Sequence, residues 1–306
     1  MHLMKTRLVS LAAILLAALC LLPAFAAAQN LDEILPKVFA ARGGLDKIRA
    51  VKSQRVSGRI TFGDVSGPFV VELKRPLKMH MQLTVQNLTM VRVYDGKSAG
   101  WANNPFAGKM NPDTMSEEEL KNITEESDFD GPLVDYKQKS NQLELVGKDK
   151  VKDQDAWRLK LTTNHGDVRF YLFDTDSFRL LKWEGKRKYE GKEFPVESYF
   201  SDYRDVDGLK YAFEIDSGAS ATDITQKISI EKIELNPEIN DAEFTKPAAP
   251  AASEAPASAP TTLTPQAQPA SKPPASAPET KPPKPPAHSD SASAAVSLST
   301  RSMEVV

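Results

Sequence analysis

The sequence predicts a mainly β domain, a curved antiparallel half-barrel of about eleven to twelve strands with a helical lid. The run 77–86 alternates strictly between apolar odd positions and polar even positions, the pattern of a strand with one buried face. Two further alternating runs within 194–215 flank Asp207-Gly208, a dipeptide typical of tight hairpin turns. Helical patterns are confined to a few short segments of the chain.

The size of the predicted sheet requires it to curl. About twelve strands spaced ~4.8 Å apart form a sheet roughly 60 Å wide. Two or three helices, each ~10 Å across, cover about half of that width, so they have to lie on a concave face. A closed barrel filled by its own side chains is one alternative, and a half-open barrel whose apolar cavity takes a ligand is the other. The adaptable side chains of Met79 and Met81 favour the second.

Composition divides the 306 residues into three regions. Residues 1–28 have a basic start, an apolar run and small residues before Ala26 and Ala28, which predicts a cleaved secretory signal peptide, with an uncleaved anchor as the alternative. Residues 247–306 hold 13 of the 22 prolines between 247 and 286 and predict a disordered Pro/Ala-rich tail. The folded domain is therefore expected over 29–246, in a protein exported to the periplasm.

The first helical segment is predicted over 30–50. Asn30 with Glu33 has the spacing of a capping box, in which two side chains satisfy the first free amide groups of a helix. The glycine pair at 43–44 breaks the helix after its third turn, since glycine adopts the left-handed conformation that ends helices. The strands of the sheet are expected to begin soon after this segment.

The second helical segment supplies a candidate lid. Ser116 with Glu119 forms another capping box, which starts a helix that runs to about residue 127. The apolar stripe of this helix is narrow, so the helix covers only a small area. A loop with two prolines, over 103–114, precedes it. The candidate lid residues of the loop and the helix are Phe106, Leu120 and Ile123.

Alternation along the strands assigns apolar side chains to the concave face, where they would contact a ligand. His80 and Gln82 fall on the opposite, wet face. In the last strand the apolar phase slips between Ile230 and Ile233, which predicts a β-bulge. The candidate acyl-binding residues are Ile60, Phe62, Val71, Leu73, Met79, Met81, Leu83, Phe170, Leu172, Tyr211 and Phe213.

Charge and motif content exclude several functions. The region 29–246 holds 33 basic and 37 acidic residues, and a net charge near −4 argues against a nucleic-acid partner. Its two histidines, His80 and His165, have no histidine or cysteine nearby in sequence, so we expect no metal site. No nucleophile elbow, phosphate loop or dinucleotide-binding glycine run occurs, so we expect no enzyme and no cofactor.

Four stretches resemble the LolA-like family, the periplasmic carriers that sort outer-membrane lipoproteins. They are ARGGLDKIRAVKS (41–53), YLFDTDSFRLLKWE (171–184), SYFSDYRDVDGLKYAFEI (198–215) and KIELNPEINDAEF (232–244). The resemblance implies an eleven-stranded half-barrel, lidded by helices, with a hydrophobic cavity for acyl chains. It also implies an arginine that ties the lid to the barrel, for which Arg59 is a loose candidate.

The function that this resemblance implies is carriage without chemistry. Family members accept a lipoprotein from an inner-membrane exporter and pass it to an outer-membrane acceptor, and the expected ligand here is a lipoprotein acyl chain or a phospholipid. A monomer is expected. The alternative is an envelope sensor, an interaction module that uses the same fold to detect lipoproteins and regulate a partner.

Overall fold

The computed structural model describes residues 30–189, 192–219 and 225–248. The expected signal peptide and nearly all of the expected tail lie outside these ranges. Three α-helices are described: α1 (Leu31–Arg42), α2 (Leu45–Ala50) and α3 (Glu117–Glu126). Short 3-10 helices occupy Pro105–Ala107 and Asp241–Phe244. Within the described residues, no helix has the length and apolar character needed to span a membrane.

The described residues form thirteen strands: β1 (Ser53–Phe62), β2 (Val65–Lys74), β3 (Lys78–Val85), β4 (Leu88–Asp95), β5 (Gly100–Asn104), β6 (Lys109–Thr114), β7 (Gln142–Val151), β8 (Gln154–Thr162), β9 (Val168–Asp174), β10 (Leu180–Tyr189), β11 (Lys192–Val206), β12 (Leu209–Ala219) and β13 (Thr225–Leu235). They belong to one antiparallel sheet in the order β6-β5-β4-β3-β2-β1-β13-β12-β11-β10-β9-β8-β7, and the two edge strands, β6 and β7, are not paired with each other. This confirms the mainly β class and the curved, unclosed sheet.

The strand count exceeds the predicted eleven to twelve. Pro105 and Pro112 predict a loop over 103–114, but β6 forms in its second half. A strand at the edge of a sheet tolerates proline because one row of its amide groups needs no partner within the sheet. The prediction of a loop was therefore wrong for the second half of this segment.

Local signals for turns and bulges are confirmed. Asp207 and Gly208 have φ values of 52° and 81°, as the tight turn between β11 and β12 requires. The register of β1 against β13 shifts between Ser57 and Gly58, which pair with Lys232 and Ile230, so the predicted bulge lies opposite them.

The helix break after α1 is also confirmed, and it brings two chain segments into close contact. Gly43 has a φ of 124°, and its amide donates to the carbonyl oxygen of Ala40. A Cβ atom at Gly43 would lie 2.3 Å from the carbonyl oxygen of Gly208. Only glycine allows this approach, which places the end of α1 on the β11–β12 hairpin.

The main core lies on the concave face, between the sheet and the helices. It joins buried residues of α1, such as Ile34 and Val38, to apolar side chains of the sheet, such as Ile60 of β1 and Ile228 of β13. A second, small cluster of Val151, Ala156 and Leu172 lies apart from it. The three described α-helices therefore cover one face only, as the size argument predicted.

Part of the opposite, convex face is covered by the C-terminal segment of the described chain. Ile239 and Phe244 are buried, and the 3-10 helix Asp241–Phe244 packs on β3 and β4. His80 lies beneath this segment with only 8% of its surface exposed. The expectation that His80 faces water was wrong, because strand alternation gives the face of a residue but not what covers that face.

Candidate functional site: the concave face and its lid

Most of the predicted acyl-binding residues lie together on the concave face. Phe62 is half-buried against the main core, and the others in this group belong to it. They come from β1, β2, β3 and β12, which lie near the middle of the sheet. The group placed on this face is Ile60, Phe62, Val71, Leu73, Met79, Met81, Leu83, Tyr211 and Phe213.

Phe170 and Leu172 do not share that face. Leu172 belongs to the second cluster, and Phe170 packs against it, with the guanidinium of Arg158 lying 4.2 Å from the centre of its ring. The assignment of both residues to the concave face is corrected. Tyr171 and Phe173 take their place in the main core, with their ring centres 6.4 Å apart.

The sequence alone does not indicate which residues of β9 face the main core. The strand β9 reads VRFYLFD, in which residues 170 to 173 are all apolar, so alternation does not select a face. Pairing with the neighbouring strands determines which face of β9 lies in the core. Phe173 pairs with the buried Trp157, and Tyr171 pairs with Trp183, and all four side chains belong to the main core.

The chain between the two edge strands forms the lid. β6 ends at Thr114 and β7 begins at Gln142, at opposite edges of the sheet, so the intervening chain has to cross between these edges. The helix α3 lies in this connection and begins with the predicted capping box, in which Ser116 and Glu119 bond reciprocally. Lid formation thus follows from the topology.

The predicted lid residues contact the main core to different extents. Ile123 of α3 is fully buried within it. Leu120, three residues earlier, and Phe106 of the first 3-10 helix are half-buried and pack against it. The apolar contribution of α3 is therefore small, as its narrow stripe indicated.

Ion pairs join α3 to strands on both sides of the opening. Glu126 accepts from Arg92 of β4 over 2.6 Å, and Glu125 pairs with Arg169 of β9. β4 and β9 are each the third strand from one edge of the sheet. Lys121 adds a contact of 3.0 Å to Asp167, just before β9. We refer to these three pairs as the lid clasp.

Two further arginines hold the segment that follows α3. Arg42, at the end of α1, donates to the backbone carbonyls of Asp130 and Phe129, over 2.8 and 3.2 Å. Arg75 donates to both carboxylate oxygens of Asp130, over 2.7 and 2.6 Å, and its guanidinium lies 4.8 Å from the centre of the Phe129 ring. Arg59, the arginine that the resemblance suggested, is exposed on β1.

One cavity on the concave face, beneath the helices, is small. It has a volume of about 60 Å³ and lies among α1, residues 130–134 and strands of the β9–β12 side. Tyr203 borders this cavity, where its hydroxyl group donates to the carbonyl oxygen of Leu180 over 2.7 Å and burial raises its pKa. Pockets for small-molecule ligands have volumes of roughly 300–1,000 Å³. This cavity could therefore take a long acyl chain only if the lid or the core side chains moved.

Several polar side-chain atoms are buried on the concave face without a hydrogen-bond partner. Gln226 is 2% exposed, and neither its amide oxygen nor its amide nitrogen has a partner. It pairs with Phe62 across the sheet and lies two residues before Ile228, so it shares their face. The indole nitrogens of Trp157 and Trp183 are also without a partner. Such groups are rare in folded proteins, because each is costly.

No protein-family model matches the sequence, and a search of curated proteins gives no match. The chain is similar in structure to LolA superfamily proteins. One of them, from Nitrosomonas europaea, has 16% sequence identity and a TM-score of 0.49, over 72% of this chain and 98% of that chain.

A second solved structure gives a similar result. An outer membrane lipoprotein-sorting protein domain from Vibrio parahaemolyticus has 11% identity and a TM-score of 0.47, over 70% of this chain and 95% of that chain. These likenesses concern the fold alone. The function has to be argued from the residues of this chain.

Proposed function

We propose that this protein binds acyl chains of lipoproteins, or lipids, on its concave face and carries them without chemistry. The observation that supports this proposal is the apolar concave face of an unclosed sheet, closed by a helix that ion pairs hold in place. The topology requires a segment that crosses the opening, but it does not require that ion pairs hold this segment with few apolar contacts. A ligand that enters from the opening would replace the lid.

The free energy of burying an acyl chain exceeds the free energy that the apolar contacts of the lid contribute. Ile123 is the one fully buried apolar residue of α3, and burial of such a side chain contributes about 1.5–3 kcal/mol. The charged groups of the lid clasp regain hydration when they separate, so their loss is partly offset. An acyl chain contributes about 0.8 kcal/mol for each buried CH₂, so roughly ten methylenes outweigh the apolar contacts of the lid.

Location and partners form part of the same proposal. Export by the N-terminal segment would place the protein in the periplasm, between two membranes that exchange lipoproteins. The protein would accept cargo from an exporter at the inner membrane and release it to an acceptor at the outer membrane, as a monomer. The adaptable side chains of Met79, Met81 and Met90, all buried on this face, suit cargo of varied shape.

Extraction of the purified protein with organic solvent, followed by mass spectrometry, tests the proposal directly. We expect phospholipid or acylated peptide to be recovered from protein isolated from the cell envelope. A fluorescent fatty acid should bind the delipidated protein and be displaced by the recovered lipid. If nothing is recovered and the probe does not bind, the proposal is wrong and the concave face is a structural core.

A further inference from the structure

A cluster of three side chains on the convex face has the chemistry of a metal site, and it lies on the opposite side of the sheet from the lid. We propose that Glu72, His80 and Glu243 bind a divalent transition-metal ion of the zinc type. Glu72 and His80 are direct cross-strand partners on β2 and β3. Glu243 belongs to the 3-10 helix Asp241–Phe244, which packs over them.

The distances between the three ligand atoms suit one small ion. Nδ1 of His80 lies 3.4 Å from Oε2 of Glu72 and 3.7 Å from Oε2 of Glu243. All three atoms lie within 4.8 Å of one another. Zinc binds imidazole nitrogen and carboxylate oxygen at about 2.0–2.2 Å, so ligand atoms around a tetrahedral ion are roughly 3.3–3.5 Å apart. Small rotations of the Glu243 side chain would bring the set to that geometry.

Arg55 already orients one of the ligands, Glu72, and Gln82 lies beside a second, His80. Nε of Arg55 donates to Oε1 of Glu72 over 2.8 Å, which leaves Oε2 of the same carboxylate directed at His80. The side-chain amide nitrogen of Gln82 lies 3.2 Å from Nε2 of His80. A 180° rotation of this amide would put its oxygen in that place, where it would accept from Nε2–H and leave Nδ1 free for the metal. Metal-binding histidines usually have such a partner on their second nitrogen.

The third ligand is held in place by contacts that do not involve the cluster. Phe244, the next residue, is buried, and the ammonium group of Lys78 lies 5.6 Å from the centre of its ring. Lys74 donates to the carbonyl oxygen of Ile239 and to Asp241, over 2.9 and 2.8 Å. The charges of Lys74 and Lys78 are directed to Asp241, which accepts from both, and not to the two glutamates.

Two glutamates and one histidine leave at least one coordination position for water. The nitrogen ligand favours zinc, nickel or copper over calcium and magnesium, which prefer oxygen ligands alone. A bound ion would link β2 and β3 to the end of the domain, just before residues 249–306 begin. The ion would thereby fasten the segment 239–244 to the sheet, independently of whether the concave face binds lipid.

The sequence predicts no metal site at His80, because no second histidine and no cysteine lies nearby along the chain. Glu72 is eight residues from His80 and Glu243 is far beyond it, so only strand pairing and the packing of the C-terminal segment bring the three together.

Calorimetric titration of the tag-free full chain with ZnCl₂ at neutral pH tests the site. We expect saturable binding of one ion per chain and a rise in the thermal midpoint with zinc concentration. His80→Gln and Glu243→Gln should each weaken zinc binding at least tenfold. The matched controls are His165→Gln and His288→Gln, which remove histidines elsewhere in the chain and should leave the affinity unchanged.

Three outcomes would overturn the site. The first is the absence of saturable binding, and the second is an equal loss of affinity in His165→Gln or His288→Gln. The third is calcium binding as tight as zinc binding, which would indicate only an acidic surface. Glu243 is half exposed, so its replacement should leave folding intact and decide the question even if His80→Gln misfolds.

Discussion

Arg92 of β4 and Glu126 of the lid helix form an ion pair of 2.6 Å in which the two side chains are only 14% and 3% exposed. Arg169 of β9 holds the preceding residue, Glu125, from the other side of the opening. One short helix thereby joins both halves of an unclosed sheet through adjacent carboxylates. Because both charges of such a pair are removed from water, the loss of one partner leaves an uncompensated buried charge and destabilises the fold.

Glu126→Gln should therefore destabilise the protein, because the buried guanidinium of Arg92 would lose the charge that faces it. We expect a decrease of about 3 kcal/mol in the free energy of unfolding, measured by urea denaturation. The control is Glu118→Gln, an exposed residue in the first turn of the same helix, which should change the value by less than about 0.5 kcal/mol. Equal effects of the two substitutions would show that the ion pair does not hold the lid.

A second substitution tests the buried polar atoms of the concave face. Gln226 has no partner for either amide atom, and an unsatisfied buried group costs about 1–3 kcal/mol. Gln226→Leu should therefore raise the free energy of unfolding of the ligand-free protein, whereas Gln142→Leu at an exposed position of β7 should not. A loss of stability in Gln226→Leu would mean that the amide makes bonds in solution.

Features set by neighbouring residues could be predicted from the sequence. The turn at Asp207-Gly208, the bulge near Ile230 and the capping box at Ser116 each depend on a few adjacent side chains, and all three are present. The curved sheet followed from strand number and helix area. Such features depend on local conformational preferences and on size, both of which a single sequence contains.

Features set by distant residues could not be predicted in this way. The face of Tyr171 depends on its pairing with Trp183, and the covering of His80 depends on the packing of Phe244. The arginines of the lid clasp lie 34 and 44 positions from their glutamates. These choices require the three-dimensional arrangement of strands, because no short pattern along the chain distinguishes one arginine from another.

Lowering the pH should destabilise the turn that follows β4. Burial alone would raise the pKa of Asp95, but backbone amides of Lys97, Ser98 and Ala99 donate to its carboxylate over 2.8, 3.0 and 3.1 Å and hold the pKa below its usual range. Since the folded pKa lies below the unfolded value of about 3.9, the stabilisation is present above pH 4 and is lost as the pH falls through the folded pKa.

Asp95→Asn should remove this pH dependence. The neutral amide forms weaker bonds to the same amides, so we expect a loss of about 0.5–1 kcal/mol at pH 7 for this partly exposed turn. The difference between the two proteins should shrink below about pH 4, as the wild-type carboxylate becomes protonated. Urea denaturation at several pH values measures it. A difference that stays constant down to pH 2 would contradict the assigned role of the charge.

The last prediction separates a binding face from a structural core at Met81. This side chain is fully buried at the centre of the concave face, between Val71 and Arg92 on the neighbouring strands. Met81→Trp adds volume there, and overpacking of a filled core costs about 1–3 kcal/mol. If an acyl chain binds on this face, the indole should also block it, and affinity for a fluorescent fatty acid should fall at least tenfold.

The matched control is Arg59→Trp, which places the same side chain on the exposed face of a central strand. It should change neither stability nor probe affinity, since an exposed position has room for the ring. Denaturation curves and probe titrations of both variants, made on delipidated protein, give the four values needed. Met81→Trp protein that unfolds more easily yet binds the probe as tightly as wild type would move the ligand away from the concave face. In that case the face would serve only to stabilise the fold.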